Sequence, residues 1–173
     1  RSESWSGRGR LFSEAHIHGP FQLSHNGGLT PTCIGSHYAV RTSSLARAGG
    51  LGPELAEDFS TSYVIRLTGA DGVFAIDAIA NGQGPSTFAA MVTQEFQWTR
   101  SLVVLYLGLV WRTLPVFRLR LRLRFTYALL FSSMVGVVAA AGFLIAPLAV
   151  VLDQQWMSLN FLVFLLLTFL VPL

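Results

Sequence analysis

The chain contains no lysine, so all twelve of its basic residues are arginine, and after Glu95 its only acidic residue is Asp153. It has a single cysteine, Cys33, which excludes an internal disulfide and agrees with a reducing compartment. The simplest role for that thiol is a small buried apolar residue. No charge of either sign occurs from Phe125 to Leu152, and no secretory signal pattern opens the chain. Polarity is scarce overall, with 52% hydrophobic residues and a mean hydropathy of +0.53 over 173 residues. Those values exclude an ordinary small soluble domain and predict membrane-embedded segments.

What charge there is falls unevenly. Residues 1–99 hold six Arg against eight acids, residues 100–124 hold six Arg and no acid, and residues 125–173 hold only Asp153. The net +3 is therefore a basic collar, "WRTLPVFRLRLRLRF", carrying Arg112, Arg118, Arg120, Arg122 and Arg124. Such a run can bind nucleic acid, but beside an apolar span it marks the cytoplasmic side and its anionic lipids. Membrane lipids are expected as partners and nucleic acid is not.

On the order of 20 apolar residues cross a bilayer, and "FTYALLFSSMVGVVAAAGFLIAPLAVVL" (125–152) is long enough. Pro147 is expected to bend or end that helix. "DQQW" (153–156) supplies a polar turn with an interfacial Trp156, and "MSLNFLVFLLLTFLVPL" begins a second crossing. With the arginines inside, the first span runs outward and residues 1–99 lie in the cytosol, at a plasma (inner) membrane crossed more than once. The last apolar run stops at Leu173 without a flanking charge and the first residue is not Met, which predicts a piece of a longer polypeptide. Between these regions "SLVVLYLGLVW" (101–111) is short for a crossing. It predicts a helix lying in the interface, with Trp98, Tyr106 and Trp111 at headgroup level, or alternatively a third span that tucks Arg112 into protein.

From Cys33 to Trp98, short apolar runs alternate with glycine-punctuated turns and helical stretches, an α/β rhythm. "SHYAVRT" (36–42) and "GVFAIDAIA" (72–80) read as strands, and "SSLARAGG" as a short helix closed by Gly49-Gly50. From Asp58 to Leu67, Phe59, Tyr63, Val64 and Leu67 recur at helical spacing until Gly69 stops the segment. "GQGPS" (82–86) reads as a loop, and from Thr87 a helix runs to "QEFQW" (94–98).

Two constellations carry possible chemistry. Asp58 falls at a helix N-terminus, where exposed N–H groups and the dipole favour the ionised carboxylate; such a group can accept a proton from an attacking hydroxyl, or can simply cap the helix. Gln94, Gln97 and Trp98 share one helical face, which suits a sugar ring with one apolar side and hydroxyls to bond. The same face equally suits an aromatic anchor at a membrane interface. "HIH" (16–18) with His25 and His37 lacks further ligands at a recognisable metal spacing, and "SHNGG" (24–28) is turn chemistry.

The ordered set "GSHYAVR", "AGGL", "ELAEDFS", "TGADGVFAIDA", "GPST", "QEFQWTR" and apolar spans resembles the C-terminal half of membrane-integrated family 2 glycosyltransferases, the cellulose, chitin and hyaluronan synthases among them, over about residues 33–173. The resemblance implies an α/β fold: the C-terminal part of a GT-A-type catalytic domain (1–97), then an interfacial helix with the basic collar (98–124), then transmembrane helices (125–173). It implies an inverting transfer from a nucleotide sugar to a glycan or lipid acceptor. Glu57-Asp58 match the family's acidic motif, with Ala56 in place of Thr, and Asp58 would be the general base. Gln94 and Trp98 match Q-x-x-R-W, while Gln97 stands where the family has Arg, a departure that weakens the case for processive synthesis and leaves room for single transfer to a glycolipid. Gly35, Ser36, His37 and Tyr38 would form an acceptor-side loop. The family holds a divalent cation (Mg or Mn) on the donor diphosphate through a D-x-D motif; no D-x-D occurs in this chain, so those ligands are expected outside it and the chain alone is expected to be inactive. Accessory subunits are possible partners. The competing reading is a non-catalytic polytopic membrane protein, a transporter or complex subunit, whose acidic pair only caps a helix.

Overall fold

A computed structural model describes residues 4–52 and 54–153. Its elements, in chain order, are α1 (Trp5–His16), a π-helical turn (Ile17–Phe21), α2 (Gln22–Ser24), α3 (Thr42–Ala48), α4 (Glu57–Leu67), α5 (Phe88–Leu105), a second π turn (Tyr106–Val110), α6 (Trp111–Thr113), a 3₁₀ turn (Leu114–Val116) and α7 (Leu119–Val151). Among the described residues there is no strand and no sheet, so the expected α/β, GT-A-type architecture is not what this chain forms.

Strand pairing is what fails. At 36–42, His37 closes a turn by donating its N–H to Ile34 C=O at 2.8 Å, and Thr42 already opens α3. In 72–80 a turn closed by Ala78 N–H on Ala75 C=O interrupts the run, and Val73 and Ile79 stand more than four-fifths exposed. Phe74 finds a side chain instead of a neighbouring strand: its N–H donates to Asn26 Oδ1 at 2.8 Å and its C=O accepts from Asn26 Nδ2 at 3.0 Å. One amide stands in for a ladder step, and a single step does not propagate.

The helices follow local signals. Gly49 closes α3 in the left-handed conformation (φ 87°), and Gly69 (φ 86°) follows the end of α4. Thr87 caps α5 by accepting the Ala90 N–H at 3.2 Å. α5 does not end where an interfacial helix would begin: residues 101–111 continue it through the π turn, burying Leu105 and Val110.

Two compact units divide the chain, one up to Ser133 and one from Met134. The core of the first is Tyr63 on α4, Leu105 and Val110, Phe117, and Leu121, Phe125 and Leu129 at four-residue spacing along α7. Tyr63 meets Phe117 and Phe125 edge-on, with ring centroids 5.5 and 4.9 Å away, and its hydroxyl pairs with that of Thr113 at 2.7 Å. In the second unit the described helix carries exposed apolar side chains, Val137, Val138 and Phe143 among them. α7 is long and apolar enough to cross a membrane, and Pro147 lies inside it without ending it. Trp156 and the second predicted crossing lie outside the described residues.

Candidate active site

The first turn of α4 places Glu57 and Asp58 behind a buried Ala56. Asp58 accepts two backbone N–H groups, from Phe59 to Oδ1 at 2.8 Å and from Gly35 to Oδ2 at 3.1 Å. The fit at residue 35 is tight: a Cβ there would stand 3.3 Å from Oδ2, so the carboxylate would have to give by a few tenths of an ångström. Ser62 fastens the loop from the other side: its Oγ donates to Asp58 C=O at 2.6 Å and accepts the Cys33 N–H at 2.7 Å. Burial pushes the Asp58 carboxyl above its ordinary range and the Glu57 charge adds to this, against the pull of the two N–H donors. A helix N-terminus by itself favours the ionised carboxyl, but here desolvation outweighs it.

The loop that supplies Gly35 also brings Tyr38 to the carboxylates. Burial raises the Tyr38 hydroxyl pKa, and the neighbouring Cys33, Glu57 and Asp58 raise it further. The half-buried Cys33 thiol is pushed up by burial as well. Ser36 Oγ lies 2.7 Å from His37 Nδ1.

Trp98, on α5, is half-buried beneath the Arg10 guanidinium, which sits 4.2 Å from the ring centroid and pairs with Glu14 at 2.6 Å and with Glu95. α1 is held along this helix at its start too, where the Ser4 and Ser6 hydroxyls each donate to Pro85 C=O at 3.0 Å. His18, beyond α1, lies within electrostatic reach of Glu14, His37 and Arg10, and burial lowers its pKa. One turn past Trp98, Ser101 Oγ accepts the Ala56 N–H at 3.1 Å. That bond joins the Trp98 face of α5 to the residue preceding Glu57.

A family model described as glycosyl transferase family group 2 matches residues 1–171. The chain belongs to this family. No curated protein and no solved structure matches this glycosyltransferase. Glycosyl transfer implies a nucleotide-sugar donor and an acceptor. Of the residues expected to act in this glycosyltransferase, Gly35, Tyr38, Glu57 and Asp58 lie together, while Trp98 packs under Arg10 one turn before Ser101, which holds the Ala56 N–H. Gln94 and Gln97 stand exposed on α5 outside that convergence. Arg10, Ser62 and Ser101 were not anticipated; Ser101 lies three residues past Trp98, on the same helical face, and that spacing was the available signal. Among the described residues no group of three His, Cys, Asp or Glu side chains is placed to hold a metal ion.

Proposed function

We propose that this glycosyltransferase moves a sugar, with inversion, from a nucleotide-sugar donor to a glycan or lipid acceptor at the cytoplasmic face of a membrane, with Asp58 as the base. The observation that supports this most is the Asp58 carboxylate: oriented by two N–H donors, partly desolvated, and raised toward the pH at which a base works. The acceptor hydroxyl loses its proton to Asp58 as its oxygen attacks the anomeric carbon, and the nucleoside diphosphate leaves with the bonding pair. Glu57 keeps the local field negative, which favours proton uptake by its neighbour. Ser36, His37 and Tyr38 would contact the acceptor from the Gly35 loop, and Gln94, Gln97 and Trp98 would bind a more distant part of it on α5 once Arg10 uncovers the Trp98 ring.

The divalent cation that accompanies the donor diphosphate has no ligand set among the described residues, and no step here runs through it. The exposed Arg112, Arg118 and Arg120 suit anionic headgroups at the membrane face.

Nucleotide-sugar turnover by the full-length protein in membranes tests the assignment. Asp58→Asn keeps the shape and removes the base, so turnover is expected to fall by about 10²–10⁴-fold with protein level and donor binding retained. Turnover near the native rate would reduce Asp58 to a helix cap.

A further inference from the structure

The basic collar does not act as one patch. Arg118 and Arg120 face outward, and Arg122 turns back to donate to Phe117 C=O at 2.6 Å and Pro115 C=O at 2.7 Å. Arg124 is buried, with 6% of its surface exposed. No carboxylate pairs with it among the described residues, and its Nε finds no acceptor. A buried, unpaired guanidinium is among the most costly groups a fold can carry, so what it touches is informative.

It touches Thr32. Arg124 Nη2 donates to Thr32 Oγ1 at 2.5 Å, a bond that spans 92 residues. Thr32 is clamped a second time by Gln22, which donates to its C=O at 3.1 Å and accepts its N–H at 2.9 Å. The next residue, Cys33, donates to Ser62 Oγ, and Gly35 donates to Asp58. α7 is thus tied through one guanidinium to the loop whose N–H orients the carboxylate.

From this geometry we infer that Arg124 is a positioning residue for glycosyl transfer: it fixes Thr32, and with it the Gly35 N–H, against Asp58. The inference rests on Asp58 being the base. Its consequence is that a helix fit to cross a membrane sets the alignment of the catalytic carboxylate, without itself touching substrate.

The test is the pH profile of kcat/KM for the full-length protein in membranes, comparing native, Arg124→Gln, Arg124→Lys, Thr32→Val and Gly35→Ala. The groups that face Asp58 are Glu57 on α4 and Cys33 and Tyr38 on the loop, and none of them is altered. Weakening the Gly35 N–H bond removes a donor to the charged form, so the acidic limb should move to higher pH in Arg124→Gln, Thr32→Val and Gly35→Ala alike. Because a misplacement of about 1 Å costs on the order of a hundredfold, kcat should fall by about tenfold to a hundredfold in Arg124→Gln, with the donor KM changed by less than about threefold. Arg124→Lys keeps one donor for Thr32 and should return the limb toward its native position.

An acidic limb at the native pH in Arg124→Gln, with activity lost only in proportion to folded protein, overturns the inference. If Arg124 variants do not accumulate, Thr32→Val decides, because it removes the acceptor while keeping the side-chain shape; a native limb there overturns the inference equally. Failure of the underlying reading shows separately, as native turnover in Asp58→Asn.

Discussion

His25 shows how far one side chain's surroundings can be read as chemistry. It is buried with 6% exposure, meets Phe21 edge-on at 4.5 Å between ring centroids, and its Nδ1 has no partner. Burial, reinforced by the charge of Arg124, lowers its pKa to about 4 from 6.5. Between those values the unfolded chain binds the proton and the folded one does not, so the contribution is full above pH 6.5 and is lost as pH falls to about 4. At one pKa unit per 1.4 kcal/mol the loss is on the order of 3 kcal/mol. Thermal unfolding of the detergent-solubilised protein should therefore show a melting temperature that drops from pH 6.5 to pH 4.5, with a shallower drop in His25→Phe. The lowered His18 acts with the same sign and the raised Asp58 with the opposite one, so the difference between the two slopes isolates His25. Identical slopes would mean that His25 titrates normally in the native state. Nothing in "SHNGG" announces this burial, and the Arg124 charge that adds to the shift lies far along the chain, whereas Asp58 was legible from its place at the start of a helical pattern.

Among the elements, α4 carries both the carboxylate and the core, since Asp58 opens it and Tyr63 anchors it. Tyr63→Phe removes the hydroxyl pair with Thr113, whose own hydroxyl still donates to Leu109 C=O at 3.0 Å, and a long 3.5 Å bond to Val110 C=O, so the loss should be about 1 kcal/mol. Tyr63→Ala empties the centre of the aromatic cluster and should cost about 3–5 kcal/mol. Denaturant unfolding of the two variants measures the gap, and equal losses would show that the hydroxyl rather than the ring holds α4. The limits of α3, α4 and the start of α5 were readable because Gly49, Gly69 and Thr87 act on their own turn. The strands expected at 36–42 and 72–80 were misread because alternation describes one segment and a strand requires two. The apolar stretch 101–111 looked too short to cross a bilayer, yet what decides its place is the burial of Leu105 and Val110 with Tyr63, a contact that no local pattern contains.

At the scale of the whole molecule, family membership and the apolar C-terminal stretch were legible from the order of short motifs and from charge placement, while the convergence of Asp58 with the Trp98 turn was not. That convergence rests on the bond from Ala56 N–H to Ser101 Oγ, between residues 45 positions apart. The collar was legible as a charged segment, but its division into exposed, turn-capping and buried arginines follows from which side of the first turns of α7, with Leu121 and Phe125, enters the core of the first unit. The role of α7 beyond that unit can be tested at Val138, which is 70% exposed in the middle of the charge-free run. If lipid surrounds this helix, Val138→Arg places a guanidinium near the bilayer centre at a cost of about 2.5–3.5 kcal/mol on insertion scales. The fraction of protein resisting carbonate extraction from membranes should then fall, whereas Val138→Leu should leave it unchanged. The arginines that precede Phe125 cannot relieve that cost, since they lie at the start of the apolar run and Val138 in its middle. Full retention of Val138→Arg in the carbonate-resistant fraction would mean that this face of α7 meets water or protein rather than lipid, and the membrane placement of the site would have to rest on the collar alone.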